Sequence, residues 1–185
     1  MTTGAGVEFV RTPEACFEAL PDFPYTPKYV EIDGLRQAYV EDGPAAGEPV
    51  LLLHGQPSYS YLYRKMIPVL AKAGYRVIAM DHLGTGRSDK PTSVKSYSYL
   101  GHVDRLERFI GALKLENVTL LCASAYVCCH DLQRRRRAHV AVSGLGLLSQ
   151  RPDVAVDRHG RLHLRLIEGS TAKRPRRRDH EKKSS

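Results

Sequence analysis

The chain is 185 residues long, 42% apolar and 26% charged, which is the composition of a globular protein with one substantial core and not of a fibrous or disordered chain. No apolar run reaches membrane-spanning length, residues 1–6 lack a basic region followed by an apolar stretch, and Cys16, Cys122, Cys128 and Cys129 have no paired spacing. Neither secretion nor membrane insertion is expected, and a reduced, cytoplasmic protein is the default. The net charge of +8 is unevenly placed: residues 1–130 hold 13 Lys and Arg against 14 Asp and Glu, whereas residues 131–185 hold 15 against 6.

In chain order, residues 29–32 and 35–40 are strand-like and flank Asp33-Gly34, a dipeptide that tolerates the positive φ angles of a two-residue hairpin turn. An antiparallel hairpin is predicted there. Residues 49–53 and 76–80 are short continuous apolar runs, as expected of central parallel strands covered on both faces. Between them Leu62, Met66, Val69, Leu70 and Ala73 fall at helical spacing, with Pro68 either kinking the helix or sitting in its opening turn. A second helix is predicted from Tyr99, Val103, Leu106, Ile110 and Leu113, followed by a buried strand over residues 117–122. A hairpin leading into strands separated by helices predicts an α/β fold, with chemistry in the loops that start at His54, Asp81 and Ala123, beyond the carboxyl ends of the strands.

The first of these loops reads His54-Gly55-Gln56-Pro57-Ser58-Tyr59-Ser60-Tyr61-Leu62-Tyr63-Arg64-Lys65-Met66-Ile67-Pro68. This stretch resembles the haloalkane dehalogenases of the α/β-hydrolase superfamily, and residues 10–122 as a whole resemble their N-terminal part. Arg11-Thr12-Pro13, Phe17, Leu20-Pro21 and Phe23 are similar to that family's lead-in, and residues 84–91, from Gly84-Thr85-Gly86-Arg87 to Pro91, to its loop after the second central strand. The His-Gly-x-Pro motif alone is shared with epoxide hydrolases, which leaves an epoxide hydrolase-like fragment as the alternative. The resemblance implies a partial α/β-hydrolase fold and hydrolytic carbon–halogen cleavage of small haloalkanes through a carboxylate nucleophile, with neither cofactor nor metal. It also implies an oxyanion hole made by the backbone amides of Gln56 and Ala125, because the ester intermediate is hydrolysed through a tetrahedral oxyanion. His54, Gly55 and Pro57 would shape the turn that presents the first of these donors.

The same resemblance places the nucleophile elbow at Cys122-Ala123-Ser124-Ala125-Tyr126, so the nucleophile position is Ser124 and not Asp. Tyr126 stands where an elbow needs a small residue. Tyr59 occupies a position where the family commonly has Trp, and the chain contains no Trp to hold a leaving halide. A Ser124 triad with Asp153 and His159 or His163 has the right chain order, but the Arg-dominated residues after Ser124 are too few to supply the cap, the further strands and the helices that should carry them. The chain is therefore expected to be catalytically dead.

Two further readings are disfavoured by the residues themselves. The Gly84-x-Gly86 loop has Asp89 at the third glycine position of a dinucleotide motif, with Pro91 close behind. A zinc site from His159 and His163 with Cys128, Cys129 or His130 conflicts with the strand-like alternation of residues 161–166, which would separate the two histidines. Residues 123–185 are expected to form a basic tail, disordered or weakly structured. As a nucleic-acid binding module that tail lacks interleaved aromatics, because no Tyr follows Tyr126 and no Phe follows Phe109. Its abrupt Arg-rich onset fits a truncated or frame-shifted gene better. A sheet that ended at Cys122 would expose an apolar edge, which residues 140–142 or 162–167 are the candidates to cover.

Overall fold

The computed structural model describes residues 1–123 and three short backbone strands further on. In chain order the elements are β1 (Phe9–Val10), β2 (Lys28–Ile32), β3 (Leu35–Asp42), β4 (Pro49–Leu53), α1 (Ile67–Lys72), β5 (Arg76–Met80), β6 (Lys90–Pro91), α2 (Tyr99–Ala112), β7 (Val118–Cys122), β8 (Ala138–Val142), β9 (Val154–Val156) and β10 (Leu162–Leu164). The main sheet has six strands in the order β2-β3-β5-β4-β7-β8. In its first three strands β3 runs antiparallel to both neighbours, and from β5 through β4 and β7 to β8 the neighbours run parallel.

The predicted hairpin is β2–β3, with Ile32 opposite Leu35 and both turn residues at positive φ, Asp33 at 53° and Gly34 at 72°. A positive φ at both central positions is the type I′ geometry whose twist matches the flanking strands. The continuous apolar runs are indeed the central parallel strands: Leu51 lies opposite Ile78 on one side and Leu120 on the other. Strand alternation sends their side chains to two faces. Leu51, Leu53, Ile78, Met80 and Leu120 pack with Val103, Leu106 and Phe109 of α2, whereas Val50, Leu52, Val77, Ala79 and Leu121 pack with Tyr63, Ile67 and Leu70 on the α1 side. One helix per face explains why these strands carry no polar alternation.

α2 opens with Ser98, whose hydroxyl accepts the Gly101 amide at 3.0 Å. It closes in a Schellman turn in which Lys114 takes positive φ and the amides of Lys114 and Leu115 reach back to Gly111 and Ile110. The first crossover takes one of the two forms predicted for it, with its helix opening at Pro68. Pro68 has no N–H to give to the carbonyl four residues earlier, so the segment divides into a 3-10 turn, Ser60–Tyr63, and the short α1, with Pro68 in its opening turn. Val69 is consequently 60% exposed although the spacing placed it on the buried stripe.

At the far end of the sheet β7 is not an open edge: β8 pairs with it in parallel, Leu120 opposite Val140, so of the two candidate segments it is 140–142 that covers it. Cys122 is disulfide-bonded, against the expectation of reduced thiols, while Cys16 is free and exposed. β9 and β10 form a separate antiparallel pair. The remaining residues of the expected basic tail, including Arg134 to Arg137 and everything after Leu164, lie outside the described residues.

Candidate active site at the carboxyl ends of the central strands

β4, β5 and β7 end side by side, with Leu53 in register with both Met80 and Cys122. The chain leaves β7 along β4, since the Ala123 amide donates to the Leu53 carbonyl at 3.0 Å. Tyr63 reinforces the same junction: its buried hydroxyl donates to Leu53 O at 2.6 Å, and burial raises its pKa. Ala123 is thus seated beside the β4 end, and Ser124 and Ala125 lie outside the described residues.

From β4 the loop continues through buried His54 and Gly55 to exposed Gln56 and Pro57, joined by a cis peptide bond. Among the described residues the Gln56 backbone amide has no hydrogen-bond acceptor. His54 does not point free into solvent. Its Nδ1 donates to Gly55 O at 3.0 Å, while its Nε2 accepts the backbone amide of His82 at 3.0 Å and has Thr85 Oγ1 at 3.2 Å. Because the His82 amide is a donor, Nε2 must carry the lone pair, which fixes the neutral Nδ1-protonated tautomer. Burial lowers the His54 pKa, and the Gly55 carbonyl, the Asp81 charge and His102 act on it more weakly. His54 is thus a joint between two loops and not a general base.

The loop after β5 is organised around Asp81, 1% exposed. One carboxylate oxygen accepts the Ser60 amide and the other the Arg87 amide, both at 2.8 Å. A side chain on Gly86 would put its Cβ 2.2 Å from that second oxygen, and Gly86 has φ +46°, so glycine is required on two counts. Ser88 completes the enclosure by donating to Asp81 O at 2.7 Å and accepting the Ala38 amide at 2.8 Å. Asp89, fully buried, receives Arg11 through Nε and a terminal nitrogen and the Arg36 amide at 2.8 Å. Its carboxyl is held below the ordinary range against the opposing effect of burial, chiefly by Arg11. This is a loop closed on itself, with no helix N-terminus for a phosphate.

Tyr59 packs edge-on to Phe17 and stacks on Tyr61, forming an aromatic rim beside Gly86. No group of three or more His, Cys, Asp or Glu among the described residues could hold a metal ion. Of the zinc candidates only His163 is in a described element, in β10 opposite Ala155; His159, Cys128, Cys129 and His130 lie outside the described residues, as does Asp153. Sequence reasoning flagged the loop at Asp81 but missed the roles of Asp81, His82 and Thr85. The available signal was Asp81 followed five residues later by Gly86, a spacing that lets a carboxylate close a tight loop.

Comparison with known proteins agrees with this geometry. The family described as alpha/beta hydrolase fold matches residues 48–125. A haloalkane dehalogenase of Psychrobacter cryohalolentis is 48% identical over 121 residues, 63% of this chain and 40% of that protein. One of Mycobacterium marinum is 47% identical over 119 residues, 62% and 40% of the two chains. The chain thus spans about 40% of the length of the curated relatives it matches. Among solved structures, the tetrameric haloalkane dehalogenase DpaA from Paraglaciecola agarilytica aligns with TM-score 0.67 and 41% identity, covering 71% of this chain and 47% of that one. An epoxide hydrolase from Vigna radiata aligns at TM-score 0.58 and 30% identity, covering 64% and 38%. No helix among the described residues is long and apolar enough to cross a membrane. Over its first two thirds this chain has an α/β-hydrolase fold and is similar in sequence and structure to haloalkane dehalogenases.

Proposed function

We propose that this chain carries the oxyanion side of a haloalkane dehalogenase site but does not itself cleave carbon–halogen bonds. In the reaction of that family type, a carboxylate oxygen on the elbow after β7 bonds to carbon as the carbon–halogen bond breaks and halide leaves. Water then hydrolyses the ester through a tetrahedral oxyanion. The amide of Gln56 supplies one donor to that oxyanion and the amide of Ala125 the other. The observation that carries this reading is the Ala123 N–H···O Leu53 bond at 3.0 Å, which seats the residue before position 124 beside the strand that leads to Gln56, whose amide has no acceptor among the described residues. A small haloalkane is the substrate class the scaffold suits.

Position 124 is Ser, whose hydroxyl without a general base is too weak a nucleophile to displace halide. The aromatic rim is Tyr59 and Tyr61, not indole. The Arg-rich composition after residue 130 fits a shifted reading frame downstream of an intact hydrolase beginning. The dehalogenase reading is preferred to the epoxide hydrolase one because relatives of the first kind reach 46–48% identity, against 28–32% for solved epoxide hydrolases. Halide release from 1-bromobutane tests the proposal: neither the native chain nor S124D, which restores a carboxylate but no base, should release halide in a sustained way.

A further inference from the structure

The β4 and β5 loops meet at one side chain. His54 Nε2 accepts the His82 amide at 3.0 Å, and Thr85 Oγ1 stands 3.2 Å from the same nitrogen. Thr85 has already given its proton to the His82 carbonyl at 2.7 Å, so it turns lone pairs toward Nε2. In the neutral imidazole, Nε2 therefore has one donor and one idle acceptor beside it. Protonation inverts this: Nε2–H gains Thr85 Oγ1 as its acceptor, and the His82 amide loses the lone pair it was using.

We propose that His54, His82 and Thr85 form a proton-operated latch that positions the Gln56 turn, closed on the His82 amide while His54 Nε2 is unprotonated and released from that amide, onto Thr85 Oγ1, when Nε2 gains a proton. His54 is a positioning residue here, acting on the Gln56 amide two residues away.

The surroundings decide whether the released state is reachable. From the end of β5, His54 is faced by Asp81 and by the His82 ring, whose centroid is 4.6 Å away. Both Asp81 oxygens are committed to the Ser60 and Arg87 amides, so Asp81 attracts the imidazolium without pairing with it. α2 contributes His102, 5.9 Å from the His82 ring, with Arg105 acting on it and the Tyr97 ring alongside. The Tyr63 phenol is occupied by the Leu53 carbonyl, and at the β7 end Cys122 does not titrate. Two imidazoles, His82 and His102, and one arginine against a single committed carboxylate oppose a positive charge on His54. His82 Nε2 is buried without a partner among the described residues. Among those residues, Thr85 Oγ1 is the acceptor within reach of His54 Nε2 once it is protonated.

The bearing of this latch on catalysis rests on the reading of Gln56 as an oxyanion donor. The experiment needs no turnover, so failure of the latch and failure of that reading give different results. In the full chain, imidazole 15N shifts would follow His54 through its titration while amide hydrogen exchange, corrected for intrinsic rates, is read at His82 and Gln56. His82 protection should fall about ten-fold as His54 protonates, roughly the loss of one hydrogen bond, and the Gln56 resonance should move with the same midpoint. Thr85→Val, which removes the waiting acceptor, should lower the His54 midpoint by about 0.7 pH unit, and Thr85→Ser should restore it. His82 protection that stays constant through the His54 titration, or a midpoint unmoved by Thr85→Val, would overturn the proposal.

Discussion

Two loops leave the sheet side by side and are built in opposite ways. The loop after β5 is sealed: Asp81, Arg87, Ser88 and Asp89 are buried, and each carboxylate is saturated by amides or arginine. The loop after β4 is buried only as far as Gly55 and then opens to solvent at Gln56, with an amide that has no acceptor among the described residues. The sealed loop is held by contacts of its own, whereas the open one leaves the Gln56 amide without an acceptor among the described residues. On the function proposed above, the contrast teaches that the loops that position a hydrolase site are specified separately from its nucleophile.

The largest effect should come from breaking the sealed loop. Asp81→Ala leaves the Ser60 and Arg87 amides buried without acceptors and should cost about 4 kcal/mol, from two charge-assisted hydrogen bonds and the desolvated donors left behind. A shift in denaturant midpoint at unchanged slope would measure it; a loss below about 1 kcal/mol would remove the sealed loop from the comparison.

A smaller effect should follow from pH. His54 and His82 have folded pKa values lowered from 6.5, mainly by burial. Their stabilising contribution is therefore complete above the unfolded value and is lost as pH falls below it toward the depressed folded values. Each neutral imidazole should remove up to about 1.4 kcal/mol per pH unit in that window. Glu14 and Asp89, also lowered, extend the decline below about pH 4.5. Stability flat from pH 7 to 5 would show that the imidazoles are not buried neutral.

The smallest effect belongs to the open loop. Gln56→Ala removes an exposed side chain and keeps the backbone amide, so stability should change by less than about 0.5 kcal/mol. A larger loss by the same denaturation measurement would mean that the Gln56 side chain holds the turn together.

Local chemistry was legible where it was decided locally. Asp33-Gly34 announced its hairpin because both residues tolerate positive φ, and residues 49–53 and 76–80 announced central strands because two helices cover them. In the first crossover Pro68 sits in the opening turn of α1, one of the two places its missing N–H allowed, but the apolar spacing did not show that Val69 is exposed. The anchors of the β5 loop were not legible at all: Asp81 meets Ser60 across 21 positions and Asp89 meets Arg11 across 78, separations at which no local pattern operates. His54, Gly55, Gln56 and Pro57 were found through the motif, but the motif does not say that His54 is fixed neutral by a neighbouring loop. That follows only from the His82 amide.

The most direct test of the account is halide release from 1-bromobutane by the purified native chain. A hydrolase scaffold with Ser at the nucleophile position predicts halide at the buffer rate and no more. Sustained, enzyme-dependent release would show that a nucleophile other than an elbow carboxylate operates in this protein, and would contradict the separation of scaffold from chemistry drawn above.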